Sequence, residues 1–215
     1  MSLFPVFIDI GGKKCVVVGG GSVAARKTQT LLMFDAAVTV ISPGLSDGLC
    51  ELLDKGRISF VNERYSKEAL EGAFMVIAAT DDSAVNAQIY LDAVEKGILV
   101  NVADCPEKCS FVFPSIVKRG DLVLGISTSG GFPALSKSIR RRLEKVFPES
   151  FGEILEVLKK YRLWAEKLLP DTVSRKRFIT GIMEEILSGG EPEEIEAVIF
   201  KIEKMLEDFE NEKGN

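Results

Sequence analysis

The chain has 215 residues, with 27 basic and 32 acidic side chains and no histidine. The missing imidazole excludes histidine-assisted nucleophile triads, His-ligated zinc and histidine general bases. Chemistry near neutral pH must then fall to Asp, Glu, Cys, Lys, Tyr, a cofactor or backbone dipoles.

An apolar content of 46% suffices for a packed core. The length allows one large domain, or one domain with a smaller appendage. No apolar run approaches the ~20 residues of a membrane span, so no membrane partner is expected. The first residues, Met1-Ser2-Leu3-Phe4-Pro5, carry no basic n-region, and no secretory signal is expected. Cys15, Cys50, Cys105 and Cys109 are too sparse for a disulfide framework and suit a reducing cytoplasm.

In chain order, Lys14–Gly19 is a β-branched run ending in glycine and reads as a buried strand. Residues 22–34 come next, with helical spacing. Ala37–Ile41 is a second strand, with a helix near 45–54. Ile58–Val61, Phe74–Ala79 and Ile98–Val102 are three more strands, the last two separated by a helix over 83–96. Strands alternating with helices at this spacing predict an α/β fold of Rossmann type, a doubly wound parallel sheet. The pattern then changes. Ser110–Ile116 and Leu122–Ser127 read as strands without a long helix between them. The Ser/Gly-rich loop Ser127–Gly131 leads into a helix over Pro133–Phe147. Beyond Pro148 only helix is expected, at about 150–169, 172–188 and 192–211, with a charged, disordered tail from Glu210. The resulting division is 1–113 as the nucleotide-binding domain, 114–147 as a small α+β segment and 148–215 as an all-helical domain.

Gly19-Gly20-Gly21-Ser22-Val23-Ala24 fits G-x-G-x-x-G/A directly after a strand and at the opening of a helix. Gly19 permits the tight turn, Gly21 lets the backbone approach a pyrophosphate, and Ala24 allows close helix–strand packing. The alternative is a tight turn with no ligand. The acidic residue expected about 20 positions on, for the ribose of NAD, is absent from the end of the second strand, Ile41-Ser42-Pro43-Gly44. No arginine replaces it, and Ser42 or Asp47 is left to bond the ribose. Thr80-Asp81-Asp82 ends the fourth strand at the edge where such sheets bind ligands, unless an aspartate there only caps the next helix. Asp104 ends the fifth strand at the same edge. It reads as a general base in a protein without histidine, or as a turn-former before Cys105-Pro106. Cys105 and Cys109 lack the second pair that structural zinc wants, so no metal site is expected.

Residues 118–145 hold seven basic side chains against two acidic, a net of +5 between two acidic stretches. That is either an anion site or a solvated helix face. Nucleic acid is disfavoured, because the pI is near 5.1 and no motif for it is present.

These residues together resemble the precorrin-2 dehydrogenase/sirohydrochlorin ferrochelatase family, the N-terminal module of bacterial siroheme synthase. The matching stretches are Leu3–Phe7, Val18–Lys27, Ala78–Asp82, Asn101–Asp104, Ser110–Ser115, Ser127–Gly131 with Pro133, and Arg140–Glu144. The resemblance implies NAD(P)-dependent oxidation of precorrin-2 to sirohydrochlorin and, in many members, insertion of Fe²⁺, a substrate rather than a resident cofactor. It implies a homodimer built largely on the segment after the sheet. The family's catalytic aspartate falls on Asp104. Its cofactor contacts fall on Ser22-Val23 and Pro43-Gly44, within a wider expected set of Gly19, Gly21, Ala24, Ser42, Thr80 and Asp81. A serine phosphorylated in some members is Thr128 here. The methyltransferase module of fused members does not occur in these residues, so another protein is expected to make precorrin-2. Eight substrate carboxylates would suit the basic segment, with Lys118, Arg119, Ser129, Lys137, Arg140 and Arg141 as the expected contacts. Two alternatives are a dehydrogenase with a separate chelatase, and an NAD-sensing module without catalysis.

Overall fold

The structure, a computed structural model, describes residues 3–169 and 171–188 together with positions 197, 200 and 203. The chain forms two compact units, Met1–Phe113 and Pro114–Asn215.

In the first unit, β1 (Lys14–Val18), β2 (Ala37–Ile41), β3 (Ser59–Val61), β4 (Met75–Ala78) and β5 (Leu99–Val102) form one sheet in the order β3-β2-β1-β4-β5. Every pair is parallel. The crossovers carry α1 (Ser22–Leu32), α2 (Asp47–Asp54) and α3 (Ser83–Glu95). This is the doubly wound Rossmann-type arrangement. The alternation of side chains along a strand explains the uninterrupted apolar runs. Cys15 and Val17 enter one core with Val38, Val40, Ala24, Leu31 and Leu49. Val16 and Val18 enter the other with Val76, Ala78, Ile89, Ala93 and Val100. Because β1 is flanked by β2 on one side and β4 on the other, the strand order reverses there. That reversal opens a crevice at the carboxyl ends of the strands.

Three differences from the sequence expectation are local. The expected strand at Ser110–Ile116 begins only at Ser115, in the second unit. Ser110 instead runs along the outer edge of β5. Its N–H donates to the Val100 carbonyl at 2.9 Å, and its hydroxyl accepts from the Val100 N–H at 2.8 Å. The Asn101 amide donates to the Phe111 carbonyl at 3.0 Å. Side chains thus replace a regular ladder, and Pro114 has no N–H with which to resume one. The first helix ends at Leu32 rather than 34, because Asp35 takes a left-handed conformation with φ 56°. A 3-10 turn at Lys67–Leu70, unforeseen from periodicity, is tied to α3 through Tyr65, whose hydroxyl donates to the buried Asp92 carboxylate at 2.8 Å.

In the second unit, β6 (Ser115–Arg119) and β7 (Leu122–Ile126) pair as an antiparallel hairpin. Next in the chain come α4 (Pro133–Val146), α5 (Phe151–Leu168) and α6 (Thr172–Ser188). Gly120 and Gly152 bring the hairpin turn against the start of α5: a Cβ on Gly152 would lie 3.0 Å from the Gly120 nitrogen. Ile154, Tyr161 and Ile182 form the buried centre of α5 and α6. The Asp171 carboxylate accepts from the N–H groups of Val173 and Ser174 at the start of α6. The helix expected at 192–211 and the expected tail lie outside the described residues, apart from the three isolated positions. Among the described residues no helix is long and apolar enough to cross a membrane.

Asp82 precedes α3 and its carboxylate accepts from the N–H groups of Ala84 and Val85 at 2.8 and 3.1 Å. Asp82→Ala should therefore lower unfolding free energy by about 1 kcal/mol. Urea denaturation monitored by circular dichroism should show a lower midpoint with an unchanged slope.

Candidate active site at the carboxyl edge of the sheet

The glycine turn is fixed by backbone proximity. Gly19 has φ 124°, and a Cβ there would lie 2.3 Å from the Ala79 carbonyl oxygen at the end of β4. A Cβ on Gly20 would lie 1.8 Å from the Gly44 carbonyl oxygen. The Gly20 carbonyl also accepts from the Ser46 N–H at 2.8 Å. The turn is thus stitched to β4 on one side and to the loop after β2 on the other. Gly21 differs: a Cβ there meets nothing within 4 Å. It is the N-cap of α1, and no side chain caps that helix. Open space over a glycine, next to an uncapped helix N-terminus, fits the approach of a pyrophosphate.

Of the residues expected around this turn, Ser22 is exposed, Val23 half-buried and Ala24 fully buried against the sheet. Ser42 is buried, and its hydroxyl accepts from the Gly44 N–H at 3.4 Å, so that group serves the Pro43-Gly44 turn. Asp47 lies in the first turn of α2. Thr80 is pinned by Asn86: its N–H and hydroxyl both donate to the Asn86 side-chain oxygen, at 3.2 and 2.8 Å. Asp81 is exposed beside the capping Asp82. Gly20 and Asn86 are the residues that sequence reasoning missed. Three consecutive glycines, where the motif needs two, signalled the first. A lone asparagine within an apolar helix signalled the second.

Asp104 sits in the turn after β5, exposed and left-handed with φ 59°. It is a turn residue, which fits the turn-former reading, and by position it is also a carboxylate at the carboxyl edge of the sheet. Beyond it, Cys109 is held in place: its sulfur accepts from the Val102 N–H at 3.2 Å and lies 3.3 Å from the Cys105 carbonyl oxygen. Burial pushes the Cys109 thiol up, while the bond from the Val102 backbone and the Lys27 charge act downward. The Cys105 thiol is raised mainly by its hydrogen bond to Glu107. Neither sulfur is set up as a thiolate. All four cysteines are free, and no group of three or more His, Cys, Asp or Glu side chains among the described residues could hold a metal.

Lys27, two residues beyond Ala25 on α1, lies with its ammonium 3.8 Å from the Phe113 ring centroid. Burial, helped by the neighbouring Arg26, brings it down to about 8, against the opposing pull of Cys109 and Asp104.

In the second unit two of the expected anion contacts are committed internally. Arg119 is mostly buried, donates to the Phe147 carbonyl at 2.8 Å and pairs with Glu149 at 3.0 Å. Arg140 pairs with Glu144 one turn along α4. The Arg119 bonds tie the hairpin to the end of α4, whereas the Arg140 pair lies within α4. Lys137 and Arg141 are exposed on α4. Ser129 is left-handed and exposed, its N–H bonded to the Ser127 hydroxyl at 3.1 Å. The Thr128 hydroxyl accepts from the Phe132 N–H at 3.2 Å, just before α4.

Residues 6–115, more than half the chain, match the family model described as "Putative NAD(P)-binding". The chain belongs to this NAD(P)-binding family. Family membership and the cradle agree on a nicotinamide dinucleotide as the ligand of the carboxyl edge. The chain is 38% identical over 203 residues to siroheme synthase of Nitrosococcus oceani, covering 93% of this chain and 43% of that one. It is 39% identical over 178 residues to siroheme synthase 1 of Serratia proteamaculans, covering 83% and 37%. It thus spans less than half the length of these curated relatives. A solved structure titled "SirC, precorrin-2 dehydrogenase" is similar with a TM-score of 0.74 and 28% identity, over 94% of this chain and all of that one.

Gly21→Ala tests the cradle without disturbing the fold. A methyl group there meets no protein atom, so thermal unfolding should stay within about 2 °C of the parent. Calorimetric titration should find NAD binding weakened about tenfold or more, because the methyl occupies the approach to the pyrophosphate.

Proposed function

We propose that the chain oxidises precorrin-2 to sirohydrochlorin with NAD, in the formation of siroheme. The observation that carries this reading is the likeness to a precorrin-2 dehydrogenase over the whole of that chain, with Asp104 on the edge that bears the glycine cradle.

The N–H groups of Ser22 and Val23 at the start of α1 would hold the pyrophosphate, and Pro43-Gly44 would flank the adenosine half. Ser42–Asp54 contains no basic side chain and does contain Asp47, which supports NAD over NADP. The bound nicotinamide supplies hydride acceptance. The chain's own task is the proton: Asp104, exposed at the turn, accepts it and returns it to solvent. For metal insertion, the same carboxylate is a hard oxygen ligand able to hold Fe²⁺ weakly while pyrrole protons leave. The exposed cations Lys137 and Arg141, with Lys118 and the Ser129 hydroxyl, bind substrate carboxylates. We further propose a cytoplasmic homodimer in which residues 114–147 supply much of the interface. Phe132, Leu135 and Val146 are exposed apolar side chains of that segment, which suits the role. The proposed division retains 148–215 as a helical domain.

Purified protein given precorrin-2 and NAD should form sirohydrochlorin and NADH, read by absorbance. Asp104→Ala should lose about 100-fold or more in rate with NAD affinity retained. Wild-type turnover in that variant sinks the site assignment. With sirohydrochlorin and Fe²⁺ and no NAD, metallation no faster than the uncatalysed control leaves a dehydrogenase alone.

A further inference from the structure

Lys27 is half-buried in the helix that opens on the glycine turn, and among the described residues its ammonium forms no ion pair. The Phe113 ring takes one face of it. An ammonium has three donors and no acceptor, and an aromatic face does not satisfy all three. The ionisable groups that act on it come from each neighbouring element: Arg26 on its own helix, Asp104 in the turn after β5, and Cys109 beyond the 3-10 turn Pro106–Lys108. Phe113 and Cys109 belong to the stretch that comes after β5 in the chain. Lys27 is therefore directed toward the side of the crevice away from the Ser42–Gly44 loop, where the adenosine half is expected.

A partly desolvated cation near Asp104 has a specific use if the substrate is a polyanion. Carboxylates that approach Asp104 are repelled by it, and an unpaired ammonium alongside offsets that repulsion. Resting on the precorrin-2 reading, we propose that Lys27 is a substrate-positioning residue whose ammonium pairs with one carboxylate of the tetrapyrrole and sets the macrocycle against Asp104. The sign of its pH dependence is set by its protonation. Burial lowers it to about 8, so the pairing is present below that pH and fades above it, within a range where an ordinary lysine keeps its proton.

The test is calorimetric titration of the full chain, loaded with NAD, with sirohydrochlorin as probe. At pH 7, Lys27→Met should weaken sirohydrochlorin binding about tenfold, and Lys27→Arg should stay within about threefold of the parent. NAD affinity should be unchanged in both. Between pH 7 and 9 the parent should lose affinity, whereas Lys27→Met and Lys27→Arg should stay flat. In turnover, Lys27→Met should raise KM with kcat changed less. Parental affinity in Lys27→Met, or an alkaline loss that persists in it, overturns the assignment alone. A parent chain that binds NAD but not sirohydrochlorin overturns the reading of the substrate, and the assignment with it.

Discussion

At the carboxyl edge of the sheet two backbone segments approach so closely that Gly20 has no room for a side chain beneath the Gly44 carbonyl. That contact fixes the loop after β2 against the turn after β1, and the Ser46 N–H to Gly20 carbonyl bond locks the pair. On the other flank Gly19 is pressed against the end of β4. The cradle is therefore held by three strands at once and needs no ligand to shape it. Only Gly21, over open space, is spared from packing. The same tripeptide thus has two packed glycines and one that leaves space open at the helix N-terminus.

The turn after β5, to which the proposed base belongs, is organised differently. Asp104 hangs on a left-handed turn, a conformation a non-glycine residue adopts at a cost. The stretch Cys109–Phe113 behind it is strongly fixed: Cys109 is bonded to the β5 backbone, and Phe111 and Phe113 pack against the core with ring centroids 5.4 Å apart. A rigid stretch behind an exposed carboxylate gives it a defined position without burying it. The absent histidine takes on a narrower meaning in that setting. Lys27 is the group at this edge whose ionisation is brought toward physiological pH, and it gets there through desolvation.

The sheet was legible in the sequence because a parallel strand buried on both faces writes a short unbroken apolar run, as at Cys15–Val18 and Met75–Ala78, and the alternation of such runs with helical spacing settles the type. The glycine turn was legible because its motif lies between a strand and a helix. Ser110–Phe113 was not, since an aromatic, β-branched stretch looks like a strand whether it pairs through its backbone or is held by serine and asparagine side chains. The internal pairing of Arg119 and Arg140 was hidden for a related reason. Charge counted along a chain does not reveal that Glu149 and Glu144 already claim two of the seven cations. Lys27 lies at the end of the Val18–Lys27 stretch, but its isolation depends on Phe113, far away in sequence.

The way Ser110 and Cys109 lie along β5 has a consequence for the molecule's behaviour in a crowded solution. β5 is a terminal strand of the sheet, and such a strand offers unpaired N–H and C=O groups to any passing chain. Here the Val100 N–H and carbonyl are both taken by Ser110, and the Val102 N–H by the Cys109 sulfur. The irregular stretch that carries the chain away from the site also seals that flank against strand addition. On that side the sheet is thereby protected from edge-to-edge aggregation by a segment that is not itself a strand.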